Sequence, residues 1–307
     1  MNQFGIAVHG GAGTIARERM TAEMEKKYLT ALSSAVDAGY DILERGGSSL
    51  DAVEAAVVVL ENEPLFNAGK GAVFNAEGKH ELDAAIMEGK SLLAGAVAGV
   101  HSIKNPVKMA RAVMEKSGHV LLAGAGAEEF ARQVGIETAP EEYFFSEERY
   151  KQWQAASQAG VIVLDHFTEE KKFGTVGAVA LDGAGTVAAA TSTGGMTNKK
   201  FGRIGDTPVI GAGTYANNLT CAISCTGVGE MFIRTIAAYE VSALMEHRLF
   251  TLKDAVTEVV QRKLVAMDGE GGMIAIDKWG NIELQFNCSG MYRGMRHSNG
   301  RKGSWIF

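Results

Sequence analysis

Gly174 and Thr175 are the residues whose types and order indicate the most specific chemistry in this chain. Thr175 opens an alternating stretch, 175–181, that predicts a β-strand. If the peptide bond between the two residues is cut, Thr175 gains a free α-amino group, whose ordinary pKa of about 7.7 to 8.0 suits a base at neutral pH. One residue would then hold both a hydroxyl nucleophile and its base. The pair is also typical of a threonine that begins a strand after a turn glycine, so the surrounding motifs must decide.

Further threonine and glycine elements follow, each at the end of a predicted strand or loop. They are Thr191-Ser192-Thr193-Gly194-Gly195, Gly211-Ala212-Gly213-Thr214 and Thr226-Gly227-Val228-Gly229. Thr226 has the position of an N-cap before a helix predicted over 228–245. Because free amides at a helix N-terminus attract negative charge, we expect an oxyanion hole at Thr226 and Gly227. Taken singly, such elements are more often caps or turns.

The run Arg203-Ile204-Gly205-Asp206 places a guanidinium and a carboxylate on one short loop. An arginine can bind an α-carboxylate in a bidentate manner, and an aspartate can bind an α-ammonium group through a charge-assisted hydrogen bond. These residues therefore predict a site for the head of an amino acid, with a surface salt bridge as the ordinary alternative.

The composition predicts a globular protein with a substantial core, since 46% of the 307 residues are apolar. The formal charge of −6 and the lack of a basic stripe argue against nucleic acid as a partner. Cys221, Cys225 and Cys288 form no Cys-x-x-Cys pair and predict free thiols in a reducing compartment. No apolar run reaches the roughly 18 residues of a membrane span, and the N-terminus has no signal-peptide pattern. We therefore expect no membrane contact and a cytoplasmic location.

Apolar periodicity and capping signals predict the elements that position these residues. Strands are expected over 4–8, 72–75, 82–87, 93–100, 175–181, 186–193, 219–225, 273–277 and 282–286. Helices are expected over 21–45, 49–61, 106–116, 127–133, 228–245 and 252–264. His9-Gly10-Gly11-Ala12-Gly13 predicts a tight loop after the first strand, and the charged stretch 141–173 predicts an exposed connector. Sheets with helices outside them are implied.

Together the motifs closely resemble the plant-type asparaginase and isoaspartyl peptidase family of N-terminal-nucleophile hydrolases. The resemblance is carried by GTVGAVALD (174–182), ATSTGG (190–195), RIGD (203–206) and CTGVGE (225–230), in matching order and spacing. It continues upstream through HGGAG (9–13) and PLFNAGKG (64–71), and downstream to NCSGMYRG (287–294). The resemblance therefore covers nearly the whole chain.

What the resemblance implies is a single α+β domain over 1–307, a four-layer αββα sandwich made as a precursor that cuts itself before Thr175. The expected products are an α subunit of residues 1–174 and a β subunit of residues 175–307, and two such αβ units are expected to form a homodimer. The implied substrates are L-asparagine and β-aspartyl dipeptides, from which hydrolysis releases L-aspartate.

The resemblance also implies roles for individual residues. Thr175 is the nucleophile, Thr193 hydrogen-bonds it, Thr226 and Gly227 form the oxyanion hole, and Asn67 lies near the nucleophile. The segments 203–206 and 226–229 hold the substrate head. No organic cofactor is expected, whereas a sodium ion is expected on backbone carbonyls of Leu60, Glu61, Glu63, Phe66, Ala68 and Lys70. A helix exit around Pro64 is the alternative explanation of that stretch.

The sequence leaves other functions open. A glycosylasparaginase would share the fold and the self-cleavage, and a non-catalytic binding protein on the same fold would lack the cleavage. The run 124–128 is an incomplete dinucleotide motif, and the Gly-x-Ser-x-Gly motif of many serine hydrolases is absent from the sequence. Within the connector, the apolar run 161–164 predicts either a strand or a cover over the site before cleavage.

Overall fold

The computed structural model describes residues 3–159 and 174–307 of the chain. Its strands are β1 (Gly5–Gly13), β2 (Leu82–Glu88), β3 (Ala94–Val100), β4 (Leu121–Ala123), β5 (Val176–Leu181), β6 (Val187–Thr193), β7 (Thr214–Ala216), β8 (Cys221–Gly227), β9 (Gly271–Asp277), β10 (Ile282–Phe286), β11 (Gly290–His297) and β12 (Lys302–Trp305). Its α-helices are α1 (Ala22–Glu44), α2 (Ser49–Glu61), α3 (Pro106–Lys116), α4 (Gly124–Val134), α5 (Glu141–Phe144), α6 (Glu147–Gln158), α7 (Gly229–Thr235), α8 (Ala237–Arg248) and α9 (Leu252–Thr257). The mixture of helices and sheets confirms the α+β class.

Two sheets carry the strands of the described residues. The larger has eight strands in the order β12-β11-β1-β5-β6-β2-β3-β4, and the smaller has four in the order β10-β9-β8-β7. Neighbouring strands pair antiparallel, except for the parallel pair β3 and β4. The predicted hairpin of β5 and β6 is confirmed, and it lies in the middle of the larger sheet.

Apolar side chains form three buried clusters that the sheets separate. One lies between the larger sheet and α1, α2 and α3, a second lies between the smaller sheet and α7, α8 and α9, and a third lies between the two sheets. The alternation of the strands explains this division, because successive side chains point to opposite faces of a sheet. In β1, for example, Ile6 and Val8 belong to the first cluster and Ala7 to the third.

The two helices predicted near the N-terminus are confirmed, and a side-chain cap starts each of them. The Thr21 hydroxyl accepts a hydrogen bond from the Met24 amide at 3.2 Å, and the Ser48 hydroxyl accepts one from the Asp51 amide at 3.1 Å. Each bond satisfies one of the amides that a helix start leaves without an internal partner.

Two predictions for the first half of the chain are wrong. Residues 72–75 form no strand, because their apolar character reflects packing: Phe74 lies against the rings of Tyr150 and Trp153 of α6. The glycine-rich run after His9 is no separate loop either. It continues β1 to Gly13, with an irregularity in the pairing between His9 and Ala12.

Predicted helices in the second half also need correction. The helix expected over 228–245 is divided into α7 and α8 by Ile236, whose φ of 48° no α-helix accepts. The helix expected over 252–264 is α-helical only to Thr257 and continues as a π-helical turn from Glu258 to Lys263.

The connector expected over 141–173 is also partly helical, because its described part contains α5 and α6. The apolar run 161–164 lies outside the described residues. Among the helices that are described, none combines the length and the apolar character that crossing a membrane requires.

Candidate active site

Strand alternation brings three predicted threonines into the space between the sheets. In β5, Val176 and Ala178 belong to the cluster beneath the helices, so Thr175 projects toward the smaller sheet. Thr193 has the equivalent orientation at the end of β6, and Thr226 faces both of them from β8. All three threonines line one cavity.

This cavity has a volume of ≈ 40 Å³, room for a few water molecules and too little for an amino acid. Gly174 forms part of its wall, so the residue before Thr175 occupies space at the site. The described lining residues are Asn67, Gly174, Thr175, Thr193, Gly195, Met196, Thr197, Arg203, Gly205, Asp206, Thr207, Thr226 and Gly227.

The hydroxyl of Thr175 is held by a small set of hydrogen bonds around Thr193. Thr175 donates to Thr193 Oγ1 at 3.3 Å, and the Gly195 amide donates to the same oxygen at 3.0 Å. Asn67 fixes this loop, since its Nδ2 donates to the Gly195 carbonyl at 2.7 Å and its main-chain carbonyl accepts from the Gly194 amide at 3.0 Å. Asn67 therefore lines the same cavity as Thr175, and its side-chain amide is hydrogen-bonded to the protein.

Thr226 has a different local role from the one that its sequence position predicts. It belongs to β8 and caps no helix; the N-cap of α7 is Val228, which makes no side-chain cap. The reason is that β8 stays paired with β9 as far as Gly227. Thr226 Oγ1 accepts a hydrogen bond from the Ala12 amide at 3.3 Å, so its own proton is left for another acceptor.

Arg203 is oriented by a partner that sequence reasoning missed. Its Nε and Nη2 donate to the two carboxylate oxygens of Glu230, each at 2.9 Å, in a bidentate pair. Glu230 lies in the first turn of α7, and 27 residues separate it from Arg203, so no local spacing marks the pair. The alternative explanation of Arg203 and Asp206, a surface salt bridge between them, is not what the structure shows.

Asp206 is buried beside Arg203 and holds a carboxylate oxygen ready for a ligand. Only 4% of the residue is exposed, and among the described residues Oδ2 has no hydrogen-bond partner. Burial raises the pKa of Asp206 to about 7, and the nearby positive charge of Arg203 only partly offsets this. A Cβ added at Gly229 would lie 2.8 Å from both Arg203 Nη2 and Asp206 Oδ1, so this glycine keeps the space between the two side chains open.

Most predicted residues lie together, and a few lie at the margin. Ile204 is 42% exposed and is absent from the described lining of the cavity, as are Val228 and Gly229. The lining includes residues that the sequence did not single out: Met196, Thr197 and Thr207. Thr197 Oγ1 is buried and has no partner among the described residues, which makes it a further group for a ligand.

The segment 60–70 leaves the end of α2 and returns toward it. A Cβ at Gly69, whose φ is +49°, would lie 2.4 Å from the Glu61 carbonyl oxygen, so the loop closes tightly on the helix end. Among the described residues, the carbonyls of Phe66 and Ala68 each accept one main-chain hydrogen bond and keep a second lone pair. This all-oxygen donor set fits a hard cation.

The Glu61 side chain is engaged elsewhere in the protein. Its carboxylate accepts hydrogen bonds from Asn105 Nδ2 at 3.1 Å and from the Val107 amide at 3.0 Å, at the start of α3. Of the oxygen atoms of Glu61, only the main-chain carbonyl is therefore a candidate ligand for a cation.

Comparison with known proteins gives one consistent result. The model of the asparaginase family matches residues 2–306. The chain is 53% identical over 297 residues to an isoaspartyl peptidase of Salmonella typhimurium (95% of each chain) and 52% identical over 297 residues to an isoaspartyl peptidase of Escherichia coli (95% of this chain, 92% of the relative). It is 48% identical over 320 residues to a putative isoaspartyl peptidase/L-asparaginase of Dictyostelium discoideum (94% and 92%).

Proposed function

The chain belongs to the asparaginase family, and from this membership and the geometry of the cavity we propose that it is an isoaspartyl peptidase with L-asparaginase activity. One observation carries the proposal: the Thr175 hydroxyl, 3.3 Å from Thr193 Oγ1, lines the same cavity as Arg203 and Asp206. A nucleophile and groups for an amino-acid head therefore meet in one place.

The first reaction is the cleavage of the chain itself. The Thr175 hydroxyl attacks the carbonyl carbon of Gly174, the bond from that carbon to the Thr175 nitrogen breaks, and the nitrogen takes up the proton. Water then hydrolyses the resulting ester, which frees the Gly174 carboxylate and restores the hydroxyl. The products are residues 1–174 and 175–307. Because Gly174 is part of the cavity wall, its release opens the room that a substrate needs.

Hydrolysis of a substrate follows the same chemistry with an external carbonyl. The free amine of Thr175, directly or through a water, accepts the hydroxyl proton, and the oxygen attacks the side-chain carbonyl of asparagine or of a β-aspartyl peptide. The Thr226 hydroxyl and the Gly227 amide each donate a hydrogen bond to the oxyanion. Each such donor stabilises the transition state by about 3 to 4 kcal/mol. Ammonia or an amino acid departs with a proton, and water releases aspartate.

Both substrates share the aspartyl head, and this explains the two activities. Asp206 binds the α-ammonium group through its unpartnered carboxylate oxygen. Arg203, which lines the cavity, binds the α-carboxylate with the guanidinium N–H groups that Glu230 does not bind. The leaving group lies outside this contact, so the head sets the specificity and the leaving group can vary.

The finer points of the architecture belong to the same proposal. The three apolar clusters support a four-layer αββα sandwich of the N-terminal-nucleophile type. The carbonyls of Leu60, Glu61, Glu63, Phe66, Ala68 and Lys70 would hold a sodium ion, which would add a fixed positive charge to the loop that contains Asn67. A homodimer of αβ units in the cytoplasm completes the proposal.

A denaturing gel and an activity assay test the proposal together. Wild-type protein is expected to convert from one chain of 32.6 kDa into two fragments whose new N-terminus is Thr175, and to release aspartate from asparagine and from a β-aspartyl dipeptide. Thr175→Ala is expected to stay intact and inactive, because it has no hydroxyl.

Two controls make the test specific. Thr175→Ser keeps a hydroxyl and is expected to cleave. Thr186→Ala makes the same chemical change as Thr175→Ala, but at a residue outside the cavity, just before β6. Activity in an uncut wild type, or in Thr175→Ala, would refute the mechanism. Release of aspartate only from a glycosylated asparagine would favour a glycosylasparaginase.

A further inference from the structure

The loop that carries Asp206 folds back on itself. We call residues 206–214 the Asp206 loop; it starts at the cavity wall and ends at Thr214, the first residue of β7. The Val209 amide donates to the Asp206 carbonyl at 2.9 Å, and a Cβ added at Gly213 would lie 2.9 Å from Asp206 Oδ2. The carboxylate that the proposed function assigns to the substrate ammonium therefore packs against the far end of its own loop. Its position depends on how the two ends are held together.

Two threonine hydroxyls contact both ends of the Asp206 loop. Thr214 Oγ1 donates to Thr191 Oγ1 of β6 at 2.7 Å and also lies 3.1 Å from the Thr207 carbonyl oxygen, so its one proton is shared between two acceptors. Thr191 Oγ1 lies 3.4 Å from the Gly213 carbonyl oxygen, a longer and weaker contact. The pair of hydroxyls therefore joins the start of the loop to its end, and joins both to the larger sheet.

Two more polar side chains fix this pair of hydroxyls. Thr191 Oγ1 lies 2.7 Å from Ser224 Oγ of β8, which lies 2.9 Å from His9 Nε2 of β1. Both threonines, the serine and the histidine are 0% exposed, and their strands also supply apolar side chains to the cluster between the sheets. A Cβ at Gly177 of β5 would lie 2.0 Å from Ser224 Oγ, so glycine leaves the space that this series needs. Because a buried hydroxyl without a hydrogen bond is costly, the series favours one arrangement of its members.

We propose that Thr214 is a positioning residue for Asp206: its hydroxyl, bonded to Thr191 and to the Thr207 carbonyl, holds the Asp206 loop in the conformation that presents the carboxylate to the substrate ammonium. The inference rests on the proposed function and adds to it a residue that is absent from the described lining of the cavity. Its effect on a ligand is therefore exerted through the loop. Because Thr175 belongs to a different segment, loss of the Thr214 hydroxyl should affect binding of the ammonium group more than the chemical step.

A role in stability alone predicts a different result. Removal of a hydroxyl that only stabilises the core would lower the free energy of unfolding and leave the affinity of every ligand unchanged. Removal of a hydroxyl that positions Asp206 would weaken the ligands that carry an ammonium group. The inhibition constant of L-aspartate divided by that of succinate separates the two roles, because succinate has the same two carboxylates without the amine.

Thr214→Val keeps the shape of the side chain and removes its hydroxyl. We expect the inhibition constant of aspartate and the KM for asparagine to rise about three- to tenfold, the effect of one neutral hydrogen bond. The inhibition constant of succinate and kcat per cleaved site should change less than twofold. Thr214→Ser restores the hydroxyl, so its ratio of inhibition constants should lie within twofold of the wild-type value.

The matched control is Thr220→Val. Thr220 is 3% exposed and its Oγ1 lies 2.6 Å from Ser242 Oγ of α8, so this change removes a buried hydroxyl of the same kind outside the Asp206 loop. Its ratio of inhibition constants should equal that of the wild type, and denaturant unfolding measures the stability of every variant. If Thr214→Val fails to fold, Thr191→Val takes its place, because it removes the acceptor of the Thr214 hydroxyl. The same rise in the ratio is then expected.

The outcomes distinguish this inference from the proposed function. A wild type without activity refutes both, and an unchanged ratio in Asp206→Asn refutes the ammonium site on which the inference rests. If the wild type is active and the ratio changes in Asp206→Asn, an unchanged ratio in Thr214→Val refutes the positioning role alone. An equal change of the ratio in Thr220→Val or in Thr214→Ser does the same, as does an unchanged ratio in Thr191→Val where that variant decides.

Discussion

Replacement of Asp206 by asparagine should weaken the binding of ligands that carry an α-ammonium group and spare ligands that lack one. The carboxylate is 4% exposed, and its Oδ2 has no partner among the described residues. A ligand's ammonium would therefore be its first direct hydrogen-bond partner at that oxygen. Because an asparagine side chain has the same shape as an aspartate and no charge, Asp206→Asn isolates the electrostatic part of the contact.

The magnitude follows from the type of bond. A hydrogen bond to a charged group contributes about 1.5 to 3 kcal/mol, and each 1.4 kcal/mol corresponds to about a tenfold change in affinity. We therefore expect the inhibition constant of the product L-aspartate to rise about ten- to hundredfold. Succinate has the same two carboxylates without the amine, and its inhibition constant should rise less than threefold or fall.

The pH dependence has a definite sign. Burial raises the pKa of Asp206 to about 7, so the carboxylate is ionised above that pH and becomes neutral as the pH falls below it. Wild-type affinity for aspartate, relative to succinate, should fall about tenfold between pH 8 and pH 6. The titration of the Thr175 amine affects the binding of both ligands, so it cancels in the ratio of their inhibition constants.

Competitive inhibition of asparagine hydrolysis, measured at both pH values, gives all the constants. Asp206→Asn should abolish the pH dependence of the ratio. An equal loss of affinity for aspartate and succinate in the variant would refute the assignment of Asp206 to the ammonium group, as would a wild-type ratio that does not change with pH.

Two further predictions concern the neighbours of this carboxylate. Glu230→Gln should raise KM about two- to fivefold at nearly constant kcat, because a partly exposed ion pair contributes about 1 kcal/mol or less to the orientation of Arg203. Steady-state kinetics measures both constants, and a fall in kcat without a rise in KM would contradict the prediction. Gly229→Ala should raise KM at least tenfold, since its Cβ would lie 2.8 Å from both Arg203 Nη2 and Asp206 Oδ1. The control is Gly126→Ala, where nothing lies within 4 Å, and equal KM values in the two alanine variants would contradict the prediction.

Local patterns predicted those parts of the site that a single strand or loop positions. Alternation along β5 and β6 is a property of the residues themselves and predicted the two strands, whose pairing brings Thr175 and Thr193 to one face. Arg203 and Asp206 are three residues apart on one loop, and the structure brings both to the cavity. Their roles stay predictions until the variants are tested.

Residues whose partners are distant in sequence escaped prediction. Thr226 has every local mark of an N-cap, but pairing of β8 with β9 extends through Gly227, and strand pairing outweighs a capping preference. Ile236 lies in an apolar, helix-like run, and nothing in its type indicates a φ of 48°. In the sequence, Glu230 is an ordinary acidic residue in the first turn of a helix. Only the fold, which places α7 beside Arg203, shows that the two side chains form a pair.

The pair of Arg203 and Glu230 also explains how Asp206 stays buried with an Oδ2 that has no partner among the described residues. Two of the guanidinium nitrogens are held by Glu230, so Arg203 is kept from closing onto Asp206 as a full ion pair. Asp206 then keeps the raised pKa that burial imposes and remains available for an incoming ammonium group. In the proposed function, the ammonium group of the ligand then neutralises the charge of this carboxylate. Loss of Glu230 should let Arg203 approach Asp206 and lower the pKa of Asp206, which shifts the pH dependence of aspartate binding to lower pH.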